Sequence, residues 1–290
     1  MKIVVMTLAN DEVCVCGRCS RPGGDGGARS YKYMIDAIRN TWASEEVDGV
    51  KCFYIYGHRD GIEFPDNAEW RDVDERSCLG PGQEAITRKR APFAIGDCIY
   101  SDTPEGRENL YYKTMDGFEW LLENEEFDYL IRPCAGSYVH LSMFKAFLEN
   151  YGRRDKFYAG STGVYDNRHN QARDPTQPAA VKFASGSSFI VSRDMIQSIV
   201  DNRTSVDVVR SPYEPGRCIG DDITFAKYFT HDLGAGIVEF SKYAMTSPAQ
   251  ATSVVKSYMQ CYYCHTIDPR LHYAVHEAKG LTSAMKYWQK

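Results

Sequence analysis

The order of apolar patterns in the first 56 residues restricts the fold more than any other feature. A β-branched apolar run from Lys2 to Leu8 predicts a buried strand, and Tyr31 to Trp42 has the spacing of an amphipathic helix. Residues 51–56 then predict a second strand. A strand, helix, strand order gives a right-handed βαβ unit and hence parallel strands. The sequence therefore predicts an α/β fold with a mainly parallel central sheet flanked by helices.

The remaining chain continues the alternation of helices and strands. Leu110 to Asn124 and Arg193 to Asp201 predict helices, and Phe127 to Ile131 predicts a strand. Ser137 is predicted to cap a helix over 139–150, because its hydroxyl can accept an orphan amide. Residues 58–95 and 162–178 are poorly patterned and are predicted to be surface loops.

Composition excludes some classes of function. There are 34 Lys plus Arg and 39 Asp plus Glu, a net charge of −5, so nucleic acid is not an expected partner. No apolar stretch approaches the roughly 18 to 20 residues of a membrane span, and the first apolar run is too short for a signal peptide. We therefore expect a soluble, cytoplasmic protein without a transmembrane segment.

Ten cysteines without an export signal favour free thiols over a disulfide framework. Cys16 and Cys19 have the C-x-x-C spacing, and so do Cys261 and Cys264. Four thiolates can form a tetrahedral zinc site if the two ends of the chain meet. This zinc site is the alternative to free thiols.

Four short segments resemble motifs of one enzyme family. They are A-I-R-N-T-W over 37–42, E-N-L-Y-Y-K-T over 108–114, F-A-S-G-S-S-F-I-V-S over 183–192 and G-D-D-I-T over 220–224. In this order they resemble the β-1,3-glycosyltransferases typified by galactosyltransferases and fringe, which have the GT-A fold. The resemblance spans roughly residues 2 to 225, and no motif is diagnostic alone.

The resemblance implies a single glycosyltransferase domain over 1–290, with nucleotide-sugar binding in about 1–135 and acceptor binding and catalysis in about 136–290. The expected activity is inverting transfer from a UDP- or GDP-linked sugar to a hydroxyl of a glycan acceptor. Asp222 is the implied catalytic base, with Asp221 as the alternative. Ser185, Gly186 and Ser187 fall in the acceptor-binding segment. A pair of helix-capping acids is the plain structural reading of Asp221 and Asp222.

The sequence departs from the family where an Asp-x-Asp motif should bind manganese and the diphosphate. The segment after the third strand, I-R-P-C-A-G-S over 131–137, contains no acid, so no metal ligand is assigned. Arg132 is predicted to stabilise the diphosphate instead, because a guanidinium can contact two phosphate oxygens. A Mn²⁺ or Mg²⁺ cofactor stays open, with Asp60, Asp97 and Asp102 as acids outside the motif.

Further donor-binding residues are predicted around the first strand and in the C-terminal segment. Asn10 and Asp11 follow the first strand, where fixed polar groups can contact a base or ribose; an Asx turn is the alternative. Lys113 lies in a matched motif, although helix lysines are more often solvated. The predicted donor site also includes Ser137 and His265.

Two other functions compete with glycosyl transfer. A catalytically inactive carbohydrate- or nucleotide-binding module on the same fold would explain the missing acidic motif. A nucleotidyltransferase would need a glycine-rich basic loop directly after the first strand, and here the glycines arrive late and are split by cysteines.

Overall fold

The computed structural model describes residues 1–10, 31–59, 61–73, 88–106, 109–152, 155–210, 220–240, 242–244, 263–265 and 273–277. Within these residues, an eight-stranded mixed sheet has the order β11-β9-β10-β7-β1-β2-β6-β5. Its strands are β1 (Ile3–Leu8), β2 (Val50–His58), β5 (Phe93–Ile95), β6 (Cys98–Pro104), β7 (Tyr129–Pro133), β9 (Tyr158–Asp166), β10 (Ala180–Ser192) and β11 (Ile237–Glu239). The other strands are β3 (Trp70–Asp72), β4 (Arg88–Arg90), β8 (Ser137–Val139), β12 (Lys242–Ala244) and β13 (Tyr263–His265).

The centre of the large sheet is parallel. β7, β1, β2 and β6 run in the same direction, as do β11 and β9. Strand β10 runs antiparallel between β7 and β9, and β5 pairs antiparallel with β6 at the edge. Since parallel strands end at the same edge, the loops after β1 and β7 meet there, which is where open α/β sheets hold ligands.

Helices cover both faces of this sheet, because alternate residues of the buried strands point to opposite sides. The labelled helices are α1 (Tyr31–Arg39), α2 (Leu110–Asn124), α3 (Leu141–Tyr151), α4 (Arg168–Gln171), α5 (Arg193–Asp201) and α6 (Asp221–Lys227), and residues 273–277 are also helical. Ile3 and Val5 of β1 pack into one apolar cluster with helices α1 and α3. Val4 and Met6 pack into a second cluster with α2, α5 and α6.

These layers confirm the predicted α/β architecture with a mainly parallel central sheet flanked by helices. Helices α2 and α5 have the predicted bounds, and Trp42, after α1, is fully buried. The predicted loop over 162–178 is wrong in part, because β9 continues to Asp166 and α4 follows. Among the helices of the described residues, none is long and apolar enough to cross a membrane. The cytoplasmic location stays a prediction.

The predicted capping role of Ser137 is wrong. Ser137 begins strand β8, and α3 begins only at Leu141, after His140 in the N-cap position without a side-chain cap. The Ser137 hydroxyl donates to the carbonyl of Ser187 instead. Strand β8 also pairs antiparallel with β13, so the C-terminal segment folds back onto the chain, with His265 opposite Ser137 in the register.

The segment 58–95 is not the uniformly exposed loop that its polarity predicts. Where it is described, it contains the β3–β4 hairpin and the edge strand β5. Lys89 in β4 is buried, and its ammonium donates to Asp116 Oδ2 of α2 at 2.8 Å. The buried ion pair ties the hairpin to the helical layer.

Candidate functional site

A cavity of about 310 Å³ opens at the carboxyl edge of the sheet, where β1 and β7 end and α6 begins. It brings together six of the residues predicted from the sequence. Its lining consists of Leu8, Leu110, Arg132, Cys134, Ser185, Gly186, Ser187, Gly220, Asp221 and Asp222.

A buried ion pair forms the floor of this cavity. The Arg132 guanidinium, from β7, donates through Nη2 to the carboxylate of Asp221 at the start of α6. Their side chains are only 2% and 3% exposed. Arg132 Nη1 also donates to the carbonyl of Gly186 at 2.6 Å, and the Thr114 hydroxyl of α2 lies 2.9 Å from Asp221 Oδ2. The pair therefore joins β7, β10, α2 and α6.

These contacts of Arg132 bear on the diphosphate-binding role predicted for it. Its guanidinium is buried and directed at Asp221 and Gly186, so the structure does not present it as a two-pronged contact for a diphosphate. Because Asp221 balances its charge, the pair adds no net charge to the cavity. The predicted contact of Arg132 with a diphosphate stays a prediction.

Asp222, in contrast, is only partly buried and faces the cavity. The backbone N–H of Gly186 donates to its Oδ2 at 2.6 Å, and the N–H of Ile223 donates to its Oδ1 at 3.0 Å. Burial raises the pKa of Asp222 above the ordinary 3.8, and the negative charge of Asp221 adds to the rise. Each carboxylate oxygen keeps a further lone pair. Asp222 is thus a fixed carboxylate with an enhanced affinity for a proton.

The segment 185–187 forms one wall of the cavity. It lies where the pairing of β10 with β9 is irregular, between Ala184 and Phe189. The hydroxyls of Ser185 and Ser187 lie 2.8 Å apart, and the N–H of Cys134 donates to the Ser187 carbonyl at 3.1 Å. The interruption of the ladder directs Ser185 and Ser187 at the cavity.

Lys113 supports the edge of the sheet from α2. Its buried ammonium donates to the carbonyl of Ala9, directly after β1, at 2.9 Å and to Glu105 Oε2 at 2.7 Å. Glu105 in turn accepts the N–H of Gly57 at 2.6 Å. Lys113 and Glu105 therefore hold the ends of β1, β2 and β6 together.

The other predicted donor-binding residues lie around the same edge or outside the described residues. Asn10 is half-buried, two residues after β1. Ser137 contacts Ser187, as described above, and His265 is opposite Ser137 in the β8–β13 ladder. Asp11, Cys16, Cys19 and Cys261 lie outside the described residues. The zinc site therefore stays a prediction.

Asp97 and Asp102, two of the acids left open as metal ligands, do not line this cavity. Across the described ranges, no group of three His, Cys, Asp or Glu side chains is arranged to hold a metal ion. Asp97 is paired with Arg39 at 2.5 Å, at the amino end of β6 and therefore away from the cavity edge. Asp102 is paired with Arg90 at 3.0 Å. Asp60 lies outside the described residues.

Sequence reasoning missed Thr114, Glu105 and Cys134. Thr114 is next to Lys113 in the motif over 108–114, and that motif is the sequence feature that could have indicated a role for Thr114. Glu105 and Cys134 lie in segments with no pattern that indicates their partners.

No family model and no curated protein sequence matches this chain. Solved structures resemble it remotely. A glycosyltransferase involved in glycosylation of the major capsid of PBCV-1 is 7% identical with a TM-score of 0.37, covering 91% of this chain and 93% of that one. HddC from Yersinia pseudotuberculosis is 12% identical with a TM-score of 0.38, covering 96% and 99%.

The galactosyltransferase LgtC, solved with donor and acceptor sugar analogs, is 10% identical with a TM-score of 0.40, covering 91% of this chain and 86% of that one. With identities of 12% or lower and TM-scores of 0.40 or lower, these similarities assign no activity to this chain.

Proposed function

We propose that this protein is a glycosyltransferase of the GT-A type, which transfers a sugar from a nucleotide-diphosphate sugar to a hydroxyl of a glycan acceptor. The observation that carries the proposal is the Asp222 carboxylate, held at the cavity by Gly186 at 2.6 Å and with a raised pKa. A base of this kind suits deprotonation of an acceptor hydroxyl, because a carboxylate with a raised pKa binds the abstracted proton more strongly than an ordinary carboxylate does.

In the proposed reaction, Asp222 takes the proton of the acceptor hydroxyl as its oxygen attacks the anomeric carbon. The bond from that carbon to the diphosphate breaks on the opposite face, and the nucleoside diphosphate leaves with the electron pair. The configuration is therefore inverted. We assign no step to a metal ion.

Arg132 and Asp221 hold this base in place. Asp221 is internal and paired with Arg132, so it is the weaker candidate for the base. Through the Gly186 carbonyl, Arg132 also fixes the peptide segment whose Gly186 N–H donates to Asp222. Placement of this kind matters for rate, because misplacement by about 1 Å can reduce turnover by about 10²-fold.

We place the donor next to β1 and β8 and the acceptor next to β10. Asn10 follows β1, and Ser137 is paired with His265 across the β8–β13 ladder. Ser185 and Ser187 offer hydroxyls on the β10 side of the cavity. Hydroxyl groups can both donate to and accept from a sugar.

Calorimetric titration with UDP, GDP, CDP and dTDP, each with and without Mn²⁺, tests the donor class. Saturable binding of one nucleotide without metal supports the proposal and identifies the donor to use for transfer. Binding only with Mn²⁺ would contradict the metal-free mechanism. Binding of none would refute a nucleotide-sugar donor.

A binding module without activity is distinguished by turnover. Such a module binds the nucleotide and leaves the nucleotide sugar intact, whereas the proposed enzyme releases free nucleoside diphosphate from it. Release measured by a coupled assay, with Asp222→Asn as the control, separates the two functions.

A further inference from the structure

A second cavity, of about 260 Å³, lies between α4 and the segment 207–210. It is separate from the cavity that contains Asp222 and shares no lining residue with it. Apart from Val208 and Val209, its lining is polar or charged: Asn170, Arg173, Asp174, Gln177, Asp207 and Arg210.

The backbone around this second cavity is held firmly. The Arg210 carbonyl lies 2.7 Å from His169 Nε2 and accepts Asn170 Nδ2 at 3.2 Å, so the segment 207–210 is attached to α4. The N–H of Val209 donates to Thr224 Oγ1 at 3.2 Å on the other side. Thr224 is one helical turn after Asp221 in α6. The second cavity is therefore braced against the helix that carries the proposed base.

The two acids of the second cavity have internal partners. Asp174 accepts the N–H of Thr176 at 3.0 Å and its hydroxyl at 2.7 Å, and the Thr176 hydroxyl bond is the main cause that lowers the pKa of Asp174. The Gln177 amide bridges Asp174 and Asp207. Lys227 Nζ lies 3.3 Å from Asp207. Both carboxylates thus already have hydrogen-bond or ion-pair partners within the protein.

The two arginines of the second cavity differ from its acids. Arg173 and Arg210 are exposed, and within the described residues neither guanidinium has an ion pair or a side-chain hydrogen bond. Each offers a planar set of N–H donors suited to the oxygens of a carboxylate or a phosphate. The paired acids still have lone pairs that can accept from hydroxyl groups.

We propose that this second cavity binds one sugar residue that carries an oxyanion, either a carboxylate or a phosphate. Arg173 and Arg210 would contact the oxyanion, and the Asn170, Asp174 and Asp207 side chains would contact hydroxyls. A volume just below the ~300 Å³ lower limit of ordinary ligand sites suits one monosaccharide rather than an oligosaccharide. That this residue belongs to the acceptor glycan rests on the proposed function.

The test is isothermal titration of the purified protein, without nucleotide, using glucuronic acid, glucose 6-phosphate and glucose as probes. We expect one or both acidic probes to bind and glucose to bind at least tenfold more weakly. Tighter binding of glucuronic acid would identify the ligand of the second cavity as a uronic acid. Tighter binding of glucose 6-phosphate would identify it as a phosphorylated sugar. Equal binding of glucose, or no binding of either acidic probe, would overturn the proposal.

Three variants localise the binding. Arg173→Gln and Arg210→Gln should each weaken the acidic probe at least tenfold, whereas Arg88→Gln, an equally charged and exposed arginine of β4, should leave it unchanged. An equal loss of affinity for the acidic probe in all three variants would indicate a general effect of charge and would overturn the proposed site. The Asp222→Asn variant should bind the probe as the wild type does. The binding test therefore does not depend on whether the protein transfers a sugar.

Discussion

Replacing Arg132 with methionine should destabilise the protein strongly, because it leaves a buried carboxylate without its cation. Asp221 is 3% exposed, and the Thr114 hydroxyl would be its remaining side-chain partner among those described above. Breaking a buried ion pair from one side costs about 3 to 5 kcal/mol. Removing both charges with Arg132→Met and Asp221→Leu together should recover most of that loss, since no unpaired charge stays buried.

Urea unfolding followed by circular dichroism measures this change in the free energy of unfolding. Lys2→Met is the matched control, because the Lys2–Glu126 pair at 2.6 Å is 60% and 85% exposed and should contribute little. The reasoning is refuted if Arg132→Met unfolds at the same urea concentration as Lys2→Met, or if the double variant is less stable than Arg132→Met alone.

Two further predictions concern the backbone at the cavity and a buried acid. A Cβ atom on Gly186 would lie 2.9 Å from Asp222 Oδ2, so Gly186→Ala should displace the base and lower kcat about 10²-fold. Gly236→Ala, with open space around its Cβ, should keep wild-type kcat, and equal effects would contradict the account.

Burial opposes ionisation of Asp116, but the charges of Lys89 and Arg203 and the hydrogen bonds from Lys89 and Ser101 together outweigh it and lower the pKa of Asp116 to about 2. This contribution of about 2 kcal/mol is complete above pH 4 and is lost as the pH falls through 2. A ¹³C NMR titration of Asp116 with a midpoint near pH 4 would contradict it.

Local sequence patterns predicted those parts of the fold whose signals are local. Helices α2 and α5 begin and end where their apolar spacing indicates. Arg132, Gly186 and Asp222 line one cavity, since the carboxyl ends of β1 and β7 and the start of α6 meet at one edge.

Patterns failed where a residue's environment depends on a distant segment. Lys89 lies between two arginines, which indicates a solvated surface, yet it is buried against Asp116 of α2. The ion-pair partner of Arg132, Asp221, lies 89 residues later in the chain. Ser137 has an ordinary capping sequence, but the return of the C-terminal segment places it in a strand. These contacts are long-range and leave no local signal.

The central claim, that Asp222 is the base of a sugar transfer, is tested by one measurement. Release of nucleoside diphosphate from its nucleotide sugar, with a glycan acceptor present, should be at least about 10²-fold slower for Asp222→Asn than for the wild type. The nucleotide affinity of the variant should be unchanged. Equal release by the two proteins, or no release by the wild type from any nucleotide sugar tested, would contradict the claim.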